Sequence, residues 1–292
     1  MFFEQLINGL TIGSIYALVA IGYTLVFGVL ELVNFANGSV YLLGGYLALM
    51  TYLSWGQNFW LCFLLAVIGC GLVGLGLDFF ALKRLRQKNA PKLTGLITTM
   101  GVSTVIDNVI LLFFGSETKS YPNMINFGNI KIGSVTVSAN QIVILGVAIL
   151  LMVLLSLLTY KTKLGKAMRC TAQNMNAAKL MGINTQAIIS LTFIISSALA
   201  AVAGVLVGMY YQTIDISSGF IVGMKTMASA VLGGVGVLPG AMLGGLIIGV
   251  VETLGASYFN TGYRNAYAFI ILIAIILIKP SGILGKEKVN KV

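Results

Sequence analysis

Four stretches of this chain carry no charged side chain: Gln5–Leu30, Leu32–Leu77, Leu180–Ile214 and Thr226–Val251. A helix that spans a bilayer needs about 20 consecutive apolar residues. In lipid only helices and closed barrels satisfy their own backbone hydrogen bonds. These segments are continuously apolar rather than alternating, which excludes a barrel. Of the 292 residues, 58% are hydrophobic and 9% charged, against about 25% charged in soluble domains. The expected fold class is an all-α polytopic membrane protein with a single transmembrane domain over residues 1–292. The start lacks the basic flank and small-residue cleavage site of a secretory signal, so the first segment is expected to stay as a span.

Candidate spans are Leu6–Leu30, Val40–Leu53, Phe59–Phe80, Leu93–Phe114, Asn140–Tyr160, Ala187–Tyr211, a broken segment over Phe220–Leu254, and Tyr263–Ile278. This gives about eight membrane segments, with broken or re-entrant helices among them. Fourteen of the eighteen Lys and Arg fall in three clusters, Lys83–Lys92, Lys161–Lys179 and Lys279–Lys291. Positive clusters between spans mark the cytoplasmic side, and favour anionic lipid. Nucleic acid is not implied by the net charge of +10. With all three clusters inside, Gly115–Ala139 is external, the C-terminus is cytoplasmic, and Phe220–Leu254 makes an even number of crossings. Gly233–Gly240 contains four Gly and Pro239 and cannot continue a helix. Two half-helices can enter and leave there, or two tilted spans can turn. The N-terminus is expected outside. Small residues recur at fourfold spacing in Ser196–Ala200–Gly204–Gly208 and Gly236–Gly240–Gly244, and Gly245 pairs with Gly249. That spacing lets helix backbones approach closely within a bilayer.

The loop 161–186 is a polar, basic island holding Lys161, Lys163, Lys166, Arg169 and Lys179 and no acid. Lys166–Met181 has no Gly or Pro and reads as one short helix, with Gly182 at its C-terminal cap. A helix presented between spans is a docking surface for a partner, or else an ordinary solvated loop that fixes topology.

Two breaks stand out in the apolar pattern. Glu31–Ser39 contains Asn34, Phe35, Asn37 and Ser39, and the second break contains Gly233, Gly234 and Gly236. Gly-interrupted segments in corresponding halves of a chain point to a transport pathway. The plainer alternative is that Asn34, Asn37 and Ser39 cap a turn. Glu31, Asp78, Asp107 and Glu252 lie within or beside spans. Asp78, close to Lys83, reads as interfacial, Glu31 and Glu252 as near segment ends, and Asp107 as a helix–helix hydrogen bond. No ladder of acids and His supports a proton-driven pump. Cys62, Cys70 and Cys170 are scattered and the chain has no His, so no metal site or catalytic triad is expected. No P-loop occurs. The chain is not expected to be an enzyme, and any ATP and Mg would be bound by separate subunits.

Asn176-Ala177-Ala178-Lys179-Leu180-Met181-Gly182 resembles the EAA-x-x-x-G motif of ABC-importer permeases, with Asn in place of the acid. Val33–Ala36, Gly165–Arg169, Leu180–Asn184, Ala230–Gly236 and the closing Lys279–Gly285 resemble, in order, the branched-chain amino-acid permeases of the LivH type. The family often reads NFAHGE where this chain has Asn34-Phe35-Ala36-Asn37-Gly38-Ser39, so any role of that His and Glu is missing here.

The resemblance implies a type II ABC importer-like permease in a bacterial inner membrane. It would move branched-chain or related amino acids with a second permease, two ABC ATPases and an external binding protein. It makes Lys166, Arg169, Asn176, Ala177, Ala178 and Gly182 the ATPase-coupling surface. The expected pathway is lined by Asn34, Phe35, Asn37, Ser39, Gly233, Gly234 and Gly236. The alternative is a stand-alone ion-coupled transporter or channel.

Overall fold

A computed structural model describes residues 2–55, 58–88, 90–122, 129–132 and 135–285. Among them, seven helices are long and apolar enough to cross a membrane. The bundle is built from α1 (Phe2–Leu30), α2 (Ala36–Trp55), α3 (Phe59–Gly76), α5 (Lys92–Phe114), α6 (Ala139–Lys161), α9 (Thr185–Tyr211), α10 (Ser217–Gly233), α11 (Leu238–Tyr258) and α12 (Arg264–Ile278). The short helices are α4 (Lys83–Gln87), α7 (Lys163–Gln173) and α8 (Met175–Leu180). The broken segment is two helices, α10 and α11, antiparallel about the turn 234–237. With 17 residues, α10 is about 25 Å long, short for a full hydrocarbon core.

A helix that is apolar on every side belongs in the interior. On α1, every residue from Thr11 to Val26 is buried. On α9, burial runs through Leu199–Leu206 without a gap. The two form the centre of the bundle. By contrast α12, equally apolar, buries only Ala268 among its residues and lies at the rim.

The small-residue spacing sets the closest helix contacts. A Cβ on Gly249 of α11 would overlap Gly13 of α1, and one on Gly204 of α9 would overlap the Tyr41 carbonyl of α2. Gly240 and Gly244 press against Gly233 and Ser229 of α10 in the same way. Gly236 does not belong to this series. It lies in the turn with φ +86.

The end of α3 is not α-helical. Leu77–Leu82 form a π-helical turn, in which the Lys83 amide donates to the Asp78 carbonyl five residues back. This turn carries α3 without interruption into α4, so the third span runs Phe59–Gln87.

Side-chain and backbone contacts sort the connections between the two ends of the bundle. Strand β1 (Lys119–Ser120) pairs antiparallel with a two-residue strand after α9, Thr213–Ile214. The loop after α5 and the α9–α10 connection therefore share one end. A second antiparallel pair, Asn129–Ile132 with Val135–Ser138, leads into α6. Gln141 Nε2 at the start of α6 donates to Asn8 Oδ1 at 2.6 Å, which sets the beginning of α1 at that end too.

At the other end, the amides of Ile283 and Leu284 donate to the carbonyls of Leu232 and Gly233 at 2.9 and 3.1 Å. The tail thus braces the α10–α11 turn. Leu30 and Leu32 meet Leu82, Leu85 and Arg86 there. Asp78, at this end, is buried within the protein. Its Oδ2 accepts from Ser190 Oγ at 2.6 Å and from Gln186 Nε2 at 3.4 Å, both at the start of α9. Its Oδ1 lies 2.6 Å from Arg86 Nη2, an ion pair without the alignment of a hydrogen bond. Described residues of all three basic clusters lie at this one end of the bundle.

Candidate functional site

Three features could do work: a basic hairpin, an apolar cleft beside it, and a charged cavity at the opposite end. The hairpin is α7 and α8. Thr162 caps α7, its Oγ1 accepting from the Gly165 amide at 3.1 Å. One helix over Lys166–Met181 is expected from sequence, yet two form. Asn174 is extended, at φ −157 and ψ 106. Its Oδ1 accepts from the amides of Asn176 and Ala177, both at 3.0 Å. An Asn side chain that bonds nearby backbone favours a cap over a helix interior, so α8 starts afresh there. Gly182 has φ +79, the left-handed cap position that Gly occupies without strain.

Lys166, Arg169, Asn176, Ala177 and Gly182 are exposed, as a docking surface requires. Ala178 is not: at 3% exposure it packs inward and presents nothing to a partner. Arg169 folds back over the Tyr160 ring, 5.5 Å from its centroid. Leu180 and Met181 are 90% and 81% exposed. They form an apolar tip that the sequence reading left out. The signal was present in the motif itself, where two large apolar residues precede the capping Gly.

The two backbone breaks meet at the same end of the bundle. Asn34 Oδ1 accepts from the Ala36 amide at 3.2 Å, so Asn34 starts α2 as a turn-capping residue. The Phe35 amide donates to Thr99 Oγ1 of α5 at 3.3 Å. Asn37 is buried, with Oδ1 accepting from Ser196 Oγ of α9 at 3.2 Å and Nδ2 without a partner among the described residues. Ser39 shares a 2.7 Å hydrogen bond with Ser103, which joins α2 to α5. Gly233 and Gly234 are buried, Gly234 against Gly285 of the tail, whereas Gly236 is exposed and faces Gly28 of α1. Between the breaks lies an apolar cleft lined by Tyr23 and Phe27 of α1, Val33, Met227 and Val231 of α10, and Val235. Phe35 and Ser39 line a smaller pocket against Gly219 and Gly223. Asn34 and Asn37 are occupied in packing instead.

The third feature escaped the sequence reading. Where α9 and α11 end and α10 and α12 begin, a cavity of about 320 Å³ is lined by Tyr16, Tyr211, Asp215, Lys225, Glu252 and Arg264, among others. Glu252 is the hub. Its Oε2 lies 2.9 Å from Lys225 Nζ and its Oε1 accepts from Arg264 Nε at 2.7 Å. Tyr16 OH of α1 donates to the same carboxylate at 3.1 Å. Arg264 also donates to Tyr211 OH at 2.6 Å. The Lys225 and Glu252 side chains are 4% and 1% exposed. Charges buried within spans are costly and mark function by default. Among the described residues, no group of three or more Cys, Asp, Glu or His could hold a metal.

A helical bundle with small-residue helix contacts, broken spans and polar groups buried along one seam is a membrane permease. The chain belongs to the family described as branched-chain amino acid transport system / permease component, which matches residues 5–278. It is 41% identical to the high-affinity branched-chain amino acid transport system permease protein BraD of Pseudomonas aeruginosa, over 100% of this chain and 98% of that one. It is 39% identical to the corresponding LivH protein of Escherichia coli K12, with the same coverage. The probable branched-chain amino acid transport permease protein LivH of Methanocaldococcus jannaschii is 32% identical over 97% of this chain and 93% of that one. No solved structure matches the chain.

Proposed function

We propose that this chain is the membrane permease subunit of a binding-protein-dependent ABC importer for leucine, isoleucine, valine or related amino acids. Its partners are a second homologous permease, two ATPases that bind ATP and Mg, and an external substrate-binding protein. The basic end of the bundle faces the cytoplasm, following the distribution of Lys and Arg. The N-terminus is then external and the C-terminus internal.

The observation that carries the reading is the α7–α8 hairpin. It lies between two spans and ends in Leu180 and Met181, 90% and 81% exposed. Two large apolar side chains in the aqueous phase beside Lys166, Lys179 and Asn176 suit insertion into a groove on a soluble ATPase. Closure of the ATPases on ATP would move the hairpin. The bundle would follow about its small-residue contacts and alternate access between its ends. The seam between α1 and α10 is the route, with the cleft between the Asn34–Ser39 and Gly233–Gly240 breaks as its inner mouth.

The test is affinity purification of the tagged chain from native membranes, followed by uptake of L-leucine into proteoliposomes holding what co-purifies. An ATPase and a second polytopic subunit should accompany the chain, and uptake should require ATP. Leu180→Asp with Met181→Asp, and separately Ala177→Arg, should leave the chain in the membrane but release the ATPase. A chain that purifies alone and moves leucine down an ion gradient would instead be a self-sufficient transporter.

A further inference from the structure

The charged cavity between α9, α10, α11 and α12 lies far from the coupling hairpin, and neither the hairpin nor the apolar cleft makes use of it. Its volume of about 320 Å³ sits at the small end of ligand sites, about 300–1,000 Å³. Two cations, Lys225 and Arg264, and two carboxylates, Glu252 and Asp215, line it. The charge sums to zero, which suits a ligand that carries one charge of each sign.

These groups are not equally engaged. Glu252 is saturated by Lys225, Arg264 and Tyr16. An ammonium has three donors. Lys225 Nζ gives one to Glu252 and lies 5.8 Å from the centre of the Tyr16 ring, and among the described residues no second hydrogen-bond acceptor meets it, although the side chain is 4% exposed. Asp215 Oδ1 accepts from Ser217 Oγ at 2.6 Å and the Ser218 amide at 2.8 Å. Its Oδ2 has no partner among the described residues. The aliphatic part of the lining is Val207, Ile214, Ile221 and Val222.

We infer that this cavity is the permease's own site for substrate in transit, and that it takes a free α-amino acid with an aliphatic side chain. The α-carboxylate pairs with Lys225 Nζ and the α-ammonium with Asp215 Oδ2. The hydrocarbon lies along Val207 and Val222. Glu252 is a positioning residue: it holds the Lys225 ammonium in place and does not itself meet the ligand. The site lies on the α1–α10 seam, with Tyr16 and Lys225 towards one end of the bundle and Tyr23, Phe27 and Val231 at the other. This assignment rests on the importer reading and names, for this chain, the residues that recognise the cargo.

The experiment uses the reconstituted complex with its binding protein and measures L-leucine and L-valine uptake together with ATP hydrolysis. Asp215→Asn and Lys225→Met should each lower leucine uptake about tenfold or more, as expected for loss of one charge-assisted hydrogen bond. ATP hydrolysis stimulated by the loaded binding protein should persist. Val222→Phe, which narrows the cavity without touching a charge, should lower leucine uptake more than valine uptake. Should Lys225→Met fail to assemble, Asp215→Asn and Val222→Phe decide the matter. Wild-type uptake in both of those variants, an unchanged leucine-to-valine ratio in Val222→Phe, or loss of hydrolysis in step with uptake would overturn the site while leaving the importer intact. If the wild-type complex moves no leucine or valine at all, the importer reading fails and the site falls with it.

Discussion

Replacing Glu252 with Gln removes the negative charge that Lys225 and Arg264 share. The Lys225–Glu252 pair is 2.9 Å long with side chains 4% and 1% exposed, so solvent screens it little. Removing one partner of such a pair strands a buried charge, at a cost of about 3–5 kcal/mol. The Arg264 side chain is 32% exposed, and a pair that water reaches adds about 1 kcal/mol or less. For a chain of this size each kcal/mol shifts Tm by roughly 2–4 °C, so Glu252→Gln should lower Tm by roughly 10 °C. Lys225→Met alone leaves Glu252 with Arg264 and Tyr16, and should cost less. The double variant removes both the stranded ammonium and its partner. Its loss should fall short of the sum of the two single losses by about 2 kcal/mol or more. The assay is thermal denaturation of the purified chain in detergent, followed by the folded fraction recovered on size exclusion, for all four proteins. Additive losses across the cycle, or a Glu252→Gln protein that melts with the wild type, would refute the buried pair as the bond that joins α10 to α11.

Other expectations are simpler. Gly204→Leu drives a side chain into the Tyr41 carbonyl, and forcing α2 from α9 should cost about 1–3 kcal/mol or more, read as reduced yield of monodisperse protein. Asp78→Asn keeps the Ser190 hydrogen bond but leaves Arg86 without its anion, which should cost about 1–3 kcal/mol in the same melting assay. Gly182→Ala places a Cβ in the left-handed region at about 1–2 kcal/mol, and should weaken ATPase retention in pull-downs without changing membrane insertion.

The spans were legible because lipid imposes so strict a rule: an uncharged run of sufficient length has few alternatives. The small-residue spacing likewise marked faces along which helices approach closely, since only a missing Cβ lets α1 and α11 come so close. The end of the bundle to which each loop belongs followed from the placement of Lys and Arg. What was hidden depended on the third dimension. Lys225 and Glu252 bound the charge-free run Thr226–Val251, so in the linear sequence each looks like the edge of a span. The turn at 234–237 folds that run back on itself and brings the two edges face to face inside the bundle. Asp78 was hidden in the same way, since its partner Ser190 belongs to a helix that starts after the α7–α8 hairpin. Asn174 was ambiguous because Asn serves either as a weak helix residue or as a cap, and only the chain's path decides.

The π-helical turn at Leu77–Leu82 has a consequence for how this chain tolerates change in length. It holds one residue more than an α-helix would need to cover the same hydrogen-bonded step. Deleting any one of its residues would let the segment close into regular α-helix with its hydropathy almost unchanged. The π turn has absorbed that residue as a bulge, so the closed α turn would cover the same step and the helix beyond it would keep nearly the same facing. α4 would stay at the end where Arg86 meets Asp78. Insertion–deletion variation is ordinarily borne by loops, but here the third span carries a spare residue whose loss would leave it able both to cross the membrane and to dock against the start of α9.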